Sequence, residues 1–462
     1  MRTEAKRVAV VGAGPIGLVA AAHLVERGAT PIVLEAGGEV GANIRGWGHV
    51  RLFSPWKYLV DPLTRSMLEA SGWEMPDPEG IPTGAELVER FVAPLAALPR
   101  LAPHVRTGAR VVAITRRGYD KVKSAGREDV PFELLVRGPD GEETRVLADA
   151  VIDASGTYAT PNPLGAGGVP LEGERELAAS IRYGIPDVLG GERSRYAGRR
   201  TLVVGSGHSA FNALLELARL AGEEEGAAVV WAVRRESVGQ MFGGGSRDAL
   251  PARGGLGERM KALVESGAVK MVTGFRASRL VRGEQGIVVE GEGDRVIGPV
   301  DEVVVTTGFR PDLELARELR LGLDSWLEAP VSLAPLIDPN VHSCGTVYPH
   351  GAIELAHPEK DFYTVGMKSY GRAPTFLLLT GYEQVRSVAC MLTGDEAGAR
   401  EVQLELPETG VCSTDLGGAA CCGAKDGEAA PIAGSCGIAA GCGSPEPVAV
   451  PGGLPVVRDG CC

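Results

Sequence analysis

From Glu401 to Cys462 the chain contains no phenylalanine, tyrosine or tryptophan, and glycine, alanine, proline and serine dominate instead. Such a segment cannot bury enough apolar surface to offset the entropy of ordering it, so residues 401–462 are expected to form a flexible tail. Long apolar runs are also missing. No stretch approaches the ~20 residues needed to span a bilayer, and the polar start Met1–Lys6 lacks the apolar core of a signal peptide. A cytoplasmic protein without a membrane partner is therefore expected. Positive charge is in deficit: 47 Lys and Arg face 59 Asp and Glu, for a net charge of −12. That balance gains nothing from phosphate neutralisation, which argues against nucleic acid as a partner. Aromatic residues make up only 5% of the chain, which suits a Val/Ala/Leu-rich α/β protein. Cysteine is absent from Glu35 to Leu95 and again from Leu171 to Val305.

What is present organises the rest. With 462 residues, 44% of them hydrophobic, two packed domains are expected. Arg7–Val11 is a β-branched run that reads as a fully buried parallel strand, followed by a glycine turn, a helical pattern over Leu18–Arg27 and a second strand over Pro31–Leu34. This is one βαβ unit. Gly41–Gly80 reads as a loop-rich insertion. Thr83–Leu98 reads as a helix, with Thr83 as its cap and Glu86 three residues later. Val111–Thr115, Phe132–Val136 and Glu143–Leu147 read as antiparallel strands, and Ala150–Ala154 returns to the parallel sheet. A second βαβ unit begins at Arg200: strand Thr201–Val204, turn Gly205–Ala210, helix Phe211–Leu220 and strand Ala227–Val233. Val303–Thr306 reads as a further buried strand and Thr380–Leu392 as a helix.

The first turn, Gly12-Ala13-Gly14-Pro15-Ile16-Gly17, is GxGxxG between a strand and a helix. Gly12 permits the sharp turn, Gly14 lets the backbone approach a pyrophosphate, and Gly17 lets the helix pack on the strand. Pro15 and Ile16 lie within the turn, and the N-terminus of the helix that follows offers free N–H groups to the phosphates. Glu35 ends the second strand, where a carboxylate accepts hydrogen bonds from a ribose diol. The second turn, Gly205-Ser206-Gly207-His208-Ser209-Ala210, is GxGxxA in the same context. Here the strand ends in Arg234-Arg235 instead of a carboxylate. Guanidinium groups pair with a 2′-phosphate, which a carboxylate would repel, so NADPH is expected over NADH.

Two such units, the first with Glu and the second with Arg, resemble the two-dinucleotide-binding-domain flavoproteins, which include flavin-containing monooxygenases, thioredoxin reductases and mercuric reductases. Asp153-Ala154-Ser155-Gly156-Thr157 looks like the first return strand of their FAD domain. Val304–Asp312, with Thr307 and Gly308, is similar to the motif that closes their NADPH domain. The resemblance implies an α/β fold with two Rossmann-like domains: an FAD domain over 1–171 and 306–400, an inserted NADPH domain over 172–305, and the Cys-rich tail. It also implies hydride transfer from NADPH to FAD near the domain junction. It places Arg51, Ser155, Gly156 and Gly345 beside the cofactors, with a homodimer as the common assembly.

Thiol–disulfide members of the group carry a redox Cys pair in one of the two stretches that lack cysteine here. Monooxygenases need none: their reduced flavin reacts with oxygen in a dry, polar-lined site. The chain is similar to them at Tyr183-Gly184 and Tyr196–Arg200, but departs from their FxGxxxH fingerprint, with Leu177 standing where His is expected if Gly173 is its glycine. Lys368, Tyr370 and Arg372 are candidates to line the substrate side; surface salt bridges and a packed tyrosine are the other reading. His350, Glu354 and His357 could share a helical face as ligands or proton shuttles, or be structural. His49, beside Trp47, is a further catalytic candidate in the loop over the flavin.

Seven of the nine cysteines fall in the tail, including the adjacent pairs Cys421-Cys422 and Cys461-Cys462. Adjacent thiols on a flexible segment suit soft species such as As(III), Hg(II) or Cu(I), and the spacing is not that of a closed zinc site. The terminal pair resembles mercuric reductase. The frame, the Lys368–Phe376 segment and the Cys-rich end together resemble flavin monooxygenase-type proteins of bacterial arsenic-resistance operons. The expected function is an NADPH- and oxygen-dependent flavoenzyme acting on a metalloid or other soft small molecule. A metal or disulfide reductase using the tail thiols, and a metalloid sensor on a flavoprotein scaffold, remain open.

Overall fold

A computed structural model describes residues 5–237, 242, 251–342, 349–374 and 376–404, apart from the side chains of Pro251 and Arg253. The first sheet has the order β16-β7-β1-β2-β3, all parallel, from β1 (Arg7–Val11), β2 (Thr30–Leu34), β3 (Val105–Arg106), β7 (Ala150–Asp153) and β16 (Phe362–Thr364). Strand alternation decides what covers each face. Val8, Val10 and Val33 point into a core shared with the helix Pro15–Glu26 and the helix Leu378–Leu392. Ala9, Val11 and Leu34 point the other way, onto an antiparallel meander of β4 (Arg110–Arg116), β5 (Phe132–Arg137) and β6 (Glu143–Ala148). With both faces covered, β1 is apolar and buried from Val8 to Val11.

The second sheet repeats the plan. Its order is β11-β10-β9-β15-β8, from β8 (Ile181–Tyr183), β9 (Arg200–Val204), β10 (Ala228–Ala232), β11 (Lys270–Val272) and β15 (Glu302–Val305). Val203 and Val304 pack toward the helix His208–Glu223, whereas Leu202, Val204, Val303 and Val305 pack toward a second meander. That meander comprises β12 (Ala277–Gly283), β13 (Gly286–Gly291) and β14 (Val296–Val300). The expected strands of the first unit and its meander are all present. The second meander is an addition that the sequence reading lacked.

Two connections join the sheets. Pro161 and Phe309 form an isolated antiparallel bridge, and the Tyr158 and Phe309 rings stack at 5.1 Å. Thr83 and Glu86 make the expected capping box, but the helix behind it changes to a wider π turn over Val88–Val92 before resuming at Ala93–Ala97. A buried carboxylate fastens the first meander to the chain's later half. Glu359 accepts from Arg116 Nε at 2.8 Å, Arg127 Nη2 at 2.9 Å and the Arg320 amide at 3.0 Å. These bonds and its desolvation oppose each other, and the two arginines hold its pKa below the usual range.

Candidate functional site

In the first loop Gly12 has φ +98°, and a Cβ there would meet the Ala154 carbonyl at 2.9 Å. A Cβ on Gly17 would lie 2.0 Å from the Gly12 carbonyl oxygen. Gly14 is different: nothing lies within 4 Å of where its Cβ would be. The middle glycine thus faces open space at the N-terminus of the helix Pro15–Glu26, while the outer two lie close against backbone. This is the cradle that a dinucleotide pyrophosphate requires. Pro15 stands in the first turn, where its missing N–H costs nothing, and Ile16 is buried against the Gly366 and Gly381 backbone. Glu35 accepts the amides of Ala13 at 2.7 Å and Gly37 at 2.8 Å. Each carboxylate oxygen keeps a lone pair for a ribose hydroxyl.

The second loop has the same geometry. Gly205 has φ +138°, and its Cβ would meet Thr306 Oγ1 at 2.4 Å, whereas nothing lies within 4 Å at Gly207. His208 and Ser209 open the helix, and Ala210 is fully buried beneath it. The His208 ring also meets Phe53, from the first domain's long loop, at 5.5 Å between centroids. Arg234 is exposed and Arg235 half-buried just past β10, and among the described residues neither has an ion-pair partner. The Arg235 backbone is fixed by the Gly274 amide at 2.7 Å. These residues fit an anionic nucleotide.

A third constellation closes the C-terminal edge of the first sheet. Asp153 ends β7, and Lys368 Nζ donates to its Oδ2 at 2.6 Å and to Ser155 Oγ at 3.0 Å. The ammonium and the carboxylate are each 1% exposed. Asp153 Oδ1 also accepts the Ser155 amide and hydroxyl, and Gly156 turns the chain at φ +72°. Gln384, wholly buried, accepts the Gly366 amide at 2.7 Å and donates to Ser369 Oγ at 2.9 Å. The segment after β16 is thereby bound to both β7 and the helix Leu378–Leu392.

Models of known families match this architecture. The pyridine nucleotide-disulphide oxidoreductase model matches residues 119–332, and an NAD(P)-binding Rossmann-like domain model matches residues 10–61. A ferredoxin–NADP reductase of Salinispora tropica is 30% identical over 320 residues, covering 69% of this chain and 78% of that one. The chain is a two-dinucleotide-binding-domain flavoprotein oxidoreductase. Its cofactors are FAD and NADPH. A flavin-containing monooxygenase of Arabidopsis thaliana, FMO GS-OX-like 2, is 24% identical over 246 residues, covering 48% of this chain and 49% of that one. Among solved structures, the bacillithiol disulfide reductase of Bacillus cereus superposes with a TM-score of 0.62 at 18% identity, over 85% of this chain and all of that one.

Within this flavoprotein several candidate residues are taken up by ion pairs and packing. Lys368, Tyr370 and Arg372 do not share an open face. Lys368 is sealed against Asp153. Tyr370 is 2% exposed and packs edge-on to Phe376 at 5.2 Å, and burial pushes its hydroxyl pKa up. Arg372 makes a two-point pair with Glu328, Nε to Oε2 at 2.8 Å and Nη2 to Oε1 at 3.0 Å. Helical periodicity misplaces His350, Glu354 and His357, because residues 350–357 form turns, not a helix. His350 contacts Gln384 Nε2 at 2.8 Å. Glu354 accepts the Gly351 amide at 2.8 Å. Burial lowers the His357 pKa to about 4, and its ring lies against Phe362.

His49 is half-buried, with Nε2 sealed from solvent and without a hydrogen-bond partner among the described residues. Arg51 is exposed and donates to the Ile81 carbonyl at 2.5 Å. Thr307 and Gly308 follow β15 and are tied to the connection leaving the first sheet: Asn162 Nδ2 donates to the Thr307 carbonyl at 2.9 Å, and the Asn162 amide donates to the Gly308 carbonyl at 2.9 Å. Sequence reasoning missed Asn162 because an isolated asparagine has no periodic or motif signal. Gly345 and the thiols of Cys421, Cys422, Cys461 and Cys462 lie outside the described residues. Among the described residues no cluster of three potential metal ligands occurs, and no helix is long and apolar enough to cross a membrane.

Proposed function

We propose that this flavoprotein is a monooxygenase-type enzyme that oxidises NADPH and acts on a soft, thiol-seeking small molecule, with trivalent arsenic as the first candidate. The thiol map carries the reading. The first cysteine in the chain is Cys344, so both phosphate loops and everything between them are thiol-free. Cys390, the cysteine among the described residues, is fully buried beside Arg386. The two stretches where thiol–disulfide members of the group carry their redox pair, residues 35–95 and 171–305, hold no cysteine, which supports oxygen as the electron acceptor. The tail cysteines supply the soft ligands for the substrate.

In this reading FAD supplies hydride acceptance and onward electron transfer. Gly12, Gly14, Pro15, Ile16 and Gly17 seat its pyrophosphate and Glu35 its ribose, while Ser155 and Gly156, tied down by Asp153 and Lys368, close over it near Arg51. Gly205, Gly207, His208 and Ser209 seat the NADPH pyrophosphate, with Ala210 packed beneath them. Arg234 and Arg235 pair with its 2′-phosphate, and Thr307 and Gly308 form the hinge between domains 172–305 and 1–171 with 306–400. His49, with a buried nitrogen free to bond, is the residue assigned to hold a proton on the substrate side. Cys421, Cys422, Cys461 and Cys462 capture the metalloid.

The test follows NADPH and dissolved oxygen together, with and without arsenite, while counting released peroxide. Arsenite is expected to raise both rates and lower peroxide per NADPH. Removing residues 401–462 is expected to abolish tight As(III) binding with FAD retained. The kinship with a ferredoxin–NADP reductase favours a second reading, electron delivery to a metal, disulfide or protein carrier. Equal arsenite- or disulfide-dependent turnover without oxygen would establish that reading instead.

A further inference from the structure

The second phosphate loop has a hydrogen bond with no counterpart in the first. Trp231, fully buried in β10, donates its indole N–H to the Gly205 carbonyl at 2.7 Å. In the strand register Trp231 lies opposite Val203, as Val33 lies opposite Val10 in the first unit, and valine has nothing to donate. The indole is held edge-on by Phe211 at 5.7 Å. On the far side of Gly205, Thr306 Oγ1 stands where a Cβ would be, and itself donates to the Val204 carbonyl at 2.9 Å. Gly205 is therefore gripped from the ends of both neighbouring strands.

We propose that Trp231 is a positioning residue for NADPH, fixing the direction in which the loop presents its amides. The inference rests on the reading of this loop as the NADPH pyrophosphate site. A trans peptide is planar, so its carbonyl and the following N–H point in opposite directions. Binding the Gly205 carbonyl to the indole turns the Ser206 N–H away from the strand. Ser206 and Gly207 are exposed there, beside the empty space over Gly207. The indole also keeps a carbonyl oxygen from facing a phosphate. Without the N–H, a buried acceptor is left unpaired and the peptide is free to rotate.

The test replaces Trp231 with 3-benzothienylalanine, which keeps the bicyclic shape and loses only the N–H, in the full-length FAD-loaded protein. NADP⁺ and NAD⁺ are titrated by calorimetry. The dissociation constants are expected to rise about tenfold for both, since the pyrophosphate is common to them. FAD content should stay put, the melting temperature should fall by no more than a few degrees, and kcat at saturating NADPH should change less than about twofold, since the bond acts on nucleotide binding. Unchanged affinity would overturn the inference, as would a loss confined to NADP⁺, which would assign the effect to the arginines. If the unaltered protein bound neither nucleotide, the loop assignment itself would fall and take this inference with it. If the variant fails to accumulate, indole ¹⁵N spectra of the unaltered protein decide. The N–H placed near the Phe211 ring should resist exchange and shift on NADP⁺ addition; a freely exchanging or unresponsive signal overturns the proposal.

Discussion

In the first phosphate loop the Ala13 amide is taken by the Glu35 carboxylate and the Ala13 carbonyl by the Gly41 amide at 3.0 Å. In the second, the Gly205 carbonyl is taken by an indole, and the groups at the strand end are two guanidiniums. The surroundings differ as much as the loops. The helix behind the first is buried from Pro15 to Leu24, enclosed between the sheet and the C-terminal helix. The helix behind the second buries one stripe, Ala210 to Leu220, and carries polar residues elsewhere. Where the first domain places Asp153 in register with Val11, the second places Val305 in register with Val204. One backbone solution thus serves two sites with opposite demands. The first is an enclosed seat whose strand end carries a carboxylate. The second is a more open seat whose strand end carries two cations.

The glycines test that contrast most severely. Gly17→Val forces side-chain atoms into the Gly12 carbonyl, 2.0 Å from the first of them, and is expected to abolish soluble folded protein. Gly14→Ala meets nothing in the protein, so the fold should persist while FAD is lost, and Gly207→Ala should do the same for NADPH alone. Circular dichroism with flavin absorbance separates these outcomes; an FAD-replete Gly14→Ala protein would refute the cradle. Next in size is Lys368→Met. It strands the Asp153 carboxylate in a site 1% exposed, and losing one partner of such a pair costs about 3–5 kcal/mol. Denaturant melts should show it, with weakened FAD retention because Ser155 loses a bond. A stable, FAD-replete variant would return Lys368 to the substrate side. Smaller still is the double change Arg234→Ala and Arg235→Ala, which should raise KM for NADPH by roughly 10- to 100-fold through lost charged hydrogen bonds. KM for NADH should barely move. Equal effects on both would remove the arginines from the 2′-phosphate.

Much of this contrast was legible in the sequence. GxGxxG and GxGxxA located both turns because their glycines answer to backbone sterics, which are local. Glu35 against Arg234-Arg235 forecast the difference in charge for the same reason. Lys368 was visible only as a charged residue in an individual segment. Its partner Asp153 is 215 positions away, so no spacing rule links them. His350, Glu354 and His357 fit a helical period by chance, and the turns there are set by contacts with the Leu378–Leu392 helix, including the Ala352 amide to Ser387 Oγ at 2.9 Å. Trp231 fell within the expected strand Ala227–Val233 and lies in β10; that its indole edge reaches the loop depends on the register of β10 against β9.

The uneven burial of the two helices predicts a pH effect on the second of them that the first does not share. Glu216 lies on the helix His208–Glu223, half-buried, with Oε2 sealed and unpartnered. Burial, reinforced by the nearby Asp187 charge, raises its pKa from the ordinary 4.5 to about 7. A carboxyl that is harder to ionise in the fold than in the unfolded chain favours the fold while it stays protonated. That advantage is complete below about pH 4.5 and is lost as the pH rises through about 7. Because the side chain keeps partial contact with water, the penalty at alkaline pH is reduced to on the order of 1 kcal/mol. Glu216→Gln keeps the shape and removes the charge. It should raise the melting temperature by roughly 2–4 °C at pH 8 and leave it nearly unchanged at pH 4.5, a difference that scanning calorimetry resolves. The first helix has no acid along its buried stretch, so the gain should appear in the transition that responds to NADP⁺ and not in the one that responds to FAD. A gain of equal size at both pH values would mean that the amide acts by packing, and Glu216 would no longer mark the second helix as the less enclosed of the two.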